Sequence, residues 1–301
     1  MKKVFILNPN TRTKEQYRLM KEIKKHFQGQ TIILEKTQTG QHARMIAKKY
    51  ALMDEDVHIF VCGGDGTIHD VINGIVGHDN ITLTPIPIGR GNDFVKSFQG
   101  LEREDFLNFD HYKNPSILEC DLLKVDGQYA MNTVSFGFDV QIAQYVNDFR
   151  KVLKGTGTIP YYLGMLASLI KMKPETYSLH LDQKILPEKE YMFVVFCNGK
   201  YYGGGYQPCP QAQLNDGWID ICLIKPIPRY KIIQLAKSYE KGQHVAFEKL
   251  VQIEKGKVVH YDTKNKTVLA NLDGEIYPVK NPTVEIVEKA IRLALPKKIG
   301  D

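Results

Sequence analysis

The sequence predicts two domains of different class. One is an open parallel α/β domain over residues 1–120; the other is a β-rich antiparallel sandwich over residues 121–301. Three observations carry that expectation. Apolar runs alternate with helical periods as far as about residue 99, then give way to short strand-like runs separated by turns. The 301 residues are about twice the ~150 of one ordinary domain. A glycine-rich tract, Gly63-Gly64-Asp65-Gly66-Thr67, also stands between a buried strand and a helix, a junction at which open α/β sheets present ligand-binding loops.

Strands are read at residues 4–7, 31–34, 57–62 and 83–88, where Val, Ile, Leu and Phe concentrate. Helices are read between them at 14–27, 41–52 and 68–76, and such crossovers make the strands parallel. In the third helix Ile68, Val71, Ile72 and Ile75 recur at i, i+3, i+4 and i+7, one stripe against a sheet, and His69, Asp70 and Asn73 lie off it. Beyond residue 119 the strand-like runs are 129–136, 177–181, 191–197, 218–224, 250–253, 258–261, 267–271 and 283–287. Helices near 140–153, 161–171 and 230–241 interrupt them. The last residues of the chain are left to either domain, and no internal repeat is visible.

Hydrophobic residues make up 43% and charged residues 25%, with 24 Gly and 14 Pro, which excludes a disordered or collagen-like chain. Lys plus Arg number 40 against 34 acids, a net charge of +6. That excess suits anionic ligands or an acidic membrane surface and lacks the dense basic face of a nucleic-acid binder. The five cysteines, Cys62, Cys120, Cys197, Cys209 and Cys222, form no CxxC spacing and leave one unpaired, so neither a zinc site nor a disulfide framework is signalled and a reducing cytoplasm is expected. The N-terminal apolar run has five residues and no small-residue cleavage site, and is read as a strand rather than a signal peptide. The apolar stretch at 159–172 contains Pro160 and Lys171 and falls short of the ~20 residues of a membrane span.

The tract at residues 63–67 has a direct chemical reading. Glycines let the backbone approach a polyphosphate closely, and the following helix N-terminus adds its amides. Asp65 puts a carboxylate where phosphate belongs, which fits a divalent cation bridging the two. The plainer alternative is a β-to-α turn with Thr67 as helix N-cap. Asn8, Pro9 and Thr39 sit at the carboxyl ends of the first two strands, where adenosine phosphates would span the loops; a polar surface loop is the alternative there.

The Gly-Gly-Asp-Gly-Thr pentapeptide recurs among phosphofructokinases, NAD kinases, and diacylglycerol and sphingosine kinases. With it come Asn8-Pro9, Thr39-Gly40-Gln41-His42-Ala43, Asn73-Gly74, Pro87-Ile88-Gly89-Arg90-Gly91-Asn92-Asp93-Phe94 and Gly137-Phe138-Asp139. Further along stand Asn198-Gly199, Gly203-Gly204-Gly205, Pro210 and Ala212 before Asp216-Gly217, and Asp273-Gly274-Glu275. In that order, across nearly the whole chain, they resemble the bacterial diacylglycerol kinase catalytic-domain family.

The resemblance implies ATP and Mg2+ as cofactors, and it implies roles. Asn8, Pro9, Asn10, Thr11, Arg12, Thr39, Gly63, Gly64, Asp65, Gly66, Thr67 and Arg90 would line the nucleotide. Asp65 and Asp93 would share the catalytic magnesium through water, Glu275 would be the general base, and Asp216 would hold a structural magnesium with backbone oxygens of Gln213 and Trp218. Two departures stand out: Asn10-Thr11-Arg12 replaces the usual Ser-Gly, and Arg90 replaces Thr or Ser. Arg90 either clamps a phosphate bidentately or faces solvent, leaving the nucleotide without the hydroxyl that usually stands there. Asp93 has a second reading as a helix N-cap, Asp216-Gly217 as a hairpin turn, and Asp273 as the shaper of its turn. The 159–172 helix is either core or a wall of the lipid site. Lys21, Lys24, Lys25, Lys48 and Lys49 are solvated helix faces or contacts to an anionic membrane.

The function expected is an ATP-dependent lipid kinase of lipid metabolism and phospholipid biosynthesis, acting on diacylglycerol, phosphatidylglycerol, a sphingoid base or a related lipid alcohol. It would be cytoplasmic and transiently at the inner face of the membrane, with no nucleic-acid partner and a homodimer left open. An NAD kinase is the first alternative, but the Asn-Glu pair and Leu-Gly-Phe strand of that family are not found here. A non-catalytic nucleotide or lipid sensor is the second; retention of Asp65, Asp93 and Glu275 argues against it and Arg90 for it.

Overall fold

The computed structural model describes residues 1–9, 13–38, 41–137, 140–141 and 173–298. Asn10, Thr11, Arg12, Thr39, the helix read at 159–172 and nearly all of that near 140–153 lie outside them. The chain divides into two compact units, one of Met1–Leu122, Leu214–Asp216 and Val287–Asp301, the other of Leu123–Gln213 and Gly217–Ile286. The first is the expected α/β fold with a parallel sheet, and the second the expected antiparallel β fold.

In the first unit β1 (Lys2–Leu7), α1 (Thr13–His26), β2 (Ile32–Lys36), α2 (His42–Ala51), β3 (Val57–Gly63), α3 (Asp65–Ile75) and β4 (Ile81–Pro87) alternate as the periodicity predicts. Two short helices, α4 (Asp93–Lys96) and α5 (Arg103–Leu107), and the strand β5 (Ser116–Val125) follow. The strands are ordered β2-β1-β3-β4, every pair parallel. Each residue of β3 is buried, as a central parallel strand covered on both faces requires. On one face Phe5 stacks on Phe60 with ring centroids 4.5 Å apart, and Leu19 and Ile23 of α1 cover them. Helix α3 begins three residues earlier than its periodicity suggests, with Gly64 rather than Thr67 as N-cap. His69 is buried, so it does not stand clear of the core as its place off the stripe implied.

The second unit contains β6 (Gln128–Ala130), β7 (Thr133–Gly137), β8 (Glu175–Leu181), β9 (Lys184–Ile185), β10 (Lys189–Tyr191), β11 (Phe193–Cys197), β12 (Ile219–Ile224), α6 (Arg229–Glu240), β13 (Val251–Gly256), β14 (Val258–Asp262), β15 (Thr267–Leu272) and β16 (Glu275–Lys280). A six-stranded antiparallel sheet runs β13-β12-β11-β7-β15-β16. A second layer is built on β8 and β14, and one core joins the two: Val134, Phe136, Val194, Phe196 and Leu272 meet Tyr177, Leu179, Val259 and Tyr261. The alternate residues Val195, Cys197, Cys222 and Ile224 face the other way and pack with Leu235 and Tyr239 of α6. Period-two alternation with both faces buried explains why β11 and β12 read as continuous apolar runs.

The run read as one strand at 129–136 is two, β6 and β7, with Met131 and Asn132 between them. The last strand, β17 (Thr283–Leu295), is much longer than the expected 283–287. Residues 283–285 pair antiparallel with β14, and Arg292 and Leu293 pair parallel with β4. Lys289, at φ 52°, interrupts its regular strand geometry, and its amide donates to Asp121 Oδ1 at 2.7 Å. Among the described residues no helix is long and apolar enough to cross a membrane.

Candidate active site

The glycine-rich tract leaves β3 and enters α3 directly, so the first amides of that helix point out of its N-terminus at the carboxyl end of the sheet. Beside it lies the loop after β4. Ile88 and Gly89 donate to the Gly63 carbonyl at 3.1 and 3.2 Å. A Cβ on Gly89 would collide with the backbone of Gly64, lying 2.9 Å from its nitrogen. Two loops meeting backbone to backbone need glycine at this crossing. Asn8, at the end of β1, donates from Nδ2 to Thr67 Oγ1 at 2.9 Å and from its own amide to the Cys62 carbonyl at 3.1 Å. Asn8 and residues 63–67 thus form one connected wall, and Thr67 serves it from the first turn of α3.

Asp65 and Asp93 face the same small space. Asp65 Oδ1 accepts from the Phe94 amide at 3.0 Å. A Cβ placed on Gly91 would sit 3.1 Å from Asp65 Oδ2 and 3.6 Å from Asp93 Oδ2. Asp93 is only 4% exposed and is the first residue of α4, with Asn92 as N-cap at φ 52°. The N-cap alternative for Asp93 is therefore taken by its neighbour. Lys96, one turn on, donates to Asp93 Oδ1 at 2.7 Å; it was not singled out in the sequence, although an i,i+3 acid–base pair on a helix is a readable signal. Arg90 is exposed. Two hard carboxylate oxygens around a spot kept open by glycine suit magnesium, which takes one or two carboxylates and completes its shell with water and phosphate oxygens. Asp65 and Asp93 are the residues that would hold it.

In the second unit Asp273-Gly274 is a two-residue hairpin turn between β15 and β16, with Leu272 opposite Glu275. Asp273 has φ 52° and Gly274 φ 101°, both left-handed, as a type I′ turn demands. Glu275 is exposed and is the first residue of β16. Asp273 reaches well beyond its own turn: Oδ2 accepts from the Met131 amide at 2.7 Å and Oδ1 from those of Asn132 and Thr133 at 2.9 and 3.0 Å. Its partners lie some 140 residues away in sequence, beyond any local signal. Asp216 falls in the first unit, and Gln213 and Trp218 in the second. Among the described residues no group of three or more His, Cys, Asp or Glu forms a metal cluster, so a cation at Asp216 would depend on backbone oxygens.

Residues 2–125 match the diacylglycerol kinase catalytic domain, and residues 132–295 match the YegS C-terminal NAD kinase beta sandwich-like domain. The chain belongs to the diacylglycerol kinase family. Within this lipid kinase family it is 30% identical to the diacylglycerol kinase of Bacillus subtilis (strain 168) over 255 residues, which is 84% of this chain and 82% of that one. It is 27% identical to the diacylglycerol kinase of Mycobacterium tuberculosis (strain H37Rv) over 244 residues, 79% and 77% of the two chains. In structure it matches a diacylglycerol kinase from Bacillus anthracis str. Sterne with TM-score 0.72 at 18% identity, covering 98% and 96% of the chains. It also matches an NAD kinase from Archaeoglobus fulgidus solved in complex with ATP, with TM-score 0.52 at 11% identity, covering 98% and 94%. These structural likenesses establish the fold, an α/β unit and an antiparallel β unit.

Proposed function

We propose that this lipid kinase family member transfers the γ-phosphate of ATP to the hydroxyl of diacylglycerol or a related lipid alcohol at a membrane surface. The observation that carries the reading is the convergence of Asp65 Oδ2 and Asp93 Oδ2 on the space above Gly91, beside the glycine crossing and the α3 N-terminus. Amides of that N-terminus hold the phosphates, and the close backbone approach at Gly64 and Gly89 fixes the two loops against each other beside it. Asp65 and Asp93 hold magnesium, which when bound neutralises charge on the phosphate oxygens. Lys96 fixes the rotamer of Asp93. Asn8 keeps the Thr67 hydroxyl in place along the nucleotide wall, and exposed Arg90 is free to meet an outer phosphate or solvent. Glu275 takes the proton of the lipid hydroxyl, which is otherwise a poor nucleophile. Asp216 is the side-chain carboxylate that would serve a second, structural cation.

Membrane contact is peripheral and partly electrostatic, in keeping with a net charge of +6. The experiment that tests the assignment of the base is Glu275→Gln, which keeps size and polarity but cannot accept the proton. The expected result is wild-type ATP affinity by calorimetry, an unchanged melting temperature, and lipid phosphorylation reduced ~10²-fold or more. Transfer near the wild-type rate rejects Glu275 as base.

A further inference from the structure

We propose that Asp273 is a positioning residue for Glu275: its carboxylate fastens the β15–β16 hairpin to residues 131–133, and that attachment sets the place of the base. This inference rests on the reading of Glu275 given above. A type I′ turn alone does not ask for a carboxylate, because Asn tolerates the left-handed conformation as well as Asp does. Three amide donors do ask for one. Met131, Asn132 and Thr133 all donate to Asp273, and the Asp273 amide returns a bond to the Thr133 carbonyl at 3.1 Å. Asparagine would turn N–H groups toward one of those donors and leave it opposed.

The segment that Asp273 grips is itself fixed from its other edge. Asn198 Nδ2 donates to the Met131 carbonyl at 2.8 Å, and the amides of Asn198 and Gly199 donate to the Asn132 carbonyl at 2.8 and 3.0 Å. A Cβ on Gly199 would come within 2.5 Å of Asn132 Oδ1 and 3.2 Å of its Cα, so the two segments pack closely there. Asn132 and Thr133 are 2% and 1% exposed. The Asn198-Gly199 and Asp273-Gly274-Glu275 motifs therefore serve one construction: a buried rail at 131–133, held on one edge by the first motif and gripped on the other by the second. Glu275 is exposed and is the first residue after the turn, so its place follows that of its backbone. Misplacing a reacting group by ~1 Å can cost ~10²-fold in rate.

The test is a double-mutant cycle on the full chain, with Asp273→Asn, Glu275→Gln and the pair, reading kcat, KM for ATP and melting temperature. The expected result is a kcat ~10- to 100-fold lower for Asp273→Asn with KM for ATP unchanged, and no further loss when Asp273→Asn is added to Glu275→Gln. A wild-type kcat for Asp273→Asn, or the same fractional loss in both backgrounds, overturns the inference while leaving Glu275 as base. A Glu275→Gln enzyme that is fully active overturns the base reading and this inference with it. If Asp273→Asn does not fold, Asp273→Glu, which keeps the charge and the acceptor oxygens but shifts the attachment to the 131–133 amides, takes its place in the cycle with the same expected coupling.

Discussion

Asp65 does two things at once: Oδ1 ties the Phe94 amide at the start of α4, and Oδ2 looks with Asp93 into the space above Gly91. Asp65→Ala should therefore remove one of the two carboxylates that would hold magnesium and the bond that fixes the start of α4 beside Asp93. The expected outcome is a Mg2+-dependent ATP affinity, measured by calorimetry, reduced by at least ~10-fold, in line with losing a charged hydrogen-bonding partner worth ~1.5–3 kcal/mol. An unchanged Mg2+ dependence would sink the role given to this residue. At this scale the candidates Asp65, Asp93 and Glu275 could be picked out in the sequence because each is flanked by glycine or asparagine in a short tract, and the structure brings Asp65 and Asp93 to one space. What could not be read is partnership over distance. Nothing in a five-residue window tells that Asp273 bonds to Met131, Asn132 and Thr133, or that Asn8 bonds to Thr67.

Among the elements, α2 and α3 are pressed together at Gly74, where a Cβ would lie 2.5 Å from the Arg44 carbonyl oxygen and 3.2 Å from the Lys48 nitrogen. Backbone cannot give way as a side-chain tip can, so Gly74→Ala should destabilise by ~1–3 kcal/mol through overpacking. Urea unfolding measures it, and activity per folded molecule should stay at the wild-type level because Gly74 is near the C-terminal end of α3, and Asp65 is at its start. No loss of stability would mean that the helix crossing is looser than this. The alternating strands and helices of the first unit were legible because 2.0 and 3.6 residue periods differ clearly there. The end of β17 was not: Val287, Ile291 and Ala294 recur at helical spacing among Glu, Lys, Ala, Arg and Leu, all good helix formers. Parallel pairing of Arg292 and Leu293 with Thr82 and Leu83 overrides that local preference.

The molecule as a whole carries a pH response in its cores. In the first unit His58 is buried, its Nε2 2.7 Å from Thr84 Oγ1, whose hydroxyl donates to the Ala294 carbonyl at 2.9 Å. In the second, His244 is buried with Nε2 3.0 Å from the Pro208 carbonyl oxygen. Burial pulls each imidazole down to about 4 from its ordinary 6.5. Between those values the unfolded chain binds more protons than the folded one, so their contribution is fully present above pH 6.5 and is lost as pH falls toward 4. The shift corresponds to at most ~3 kcal/mol per histidine. Urea titrations from pH 7 to pH 4 should show falling stability across that window, and a flat profile would contradict the burial of both rings.

The central claim is that the two carboxylates over Gly91 belong to a working lipid kinase, and the transfer itself is its most direct measurement. The purified chain is incubated with γ-labelled ATP, Mg2+ and vesicles of a total lipid extract containing diacylglycerol, with the Asp65→Ala variant in parallel. The account predicts label in a phosphorylated lipid for the wild type, dependent on Mg2+ and lowered by ~10²-fold or more in the variant. Absence of any labelled lipid from a folded, ATP-binding wild-type protein, or equal labelling by Asp65→Ala, contradicts it.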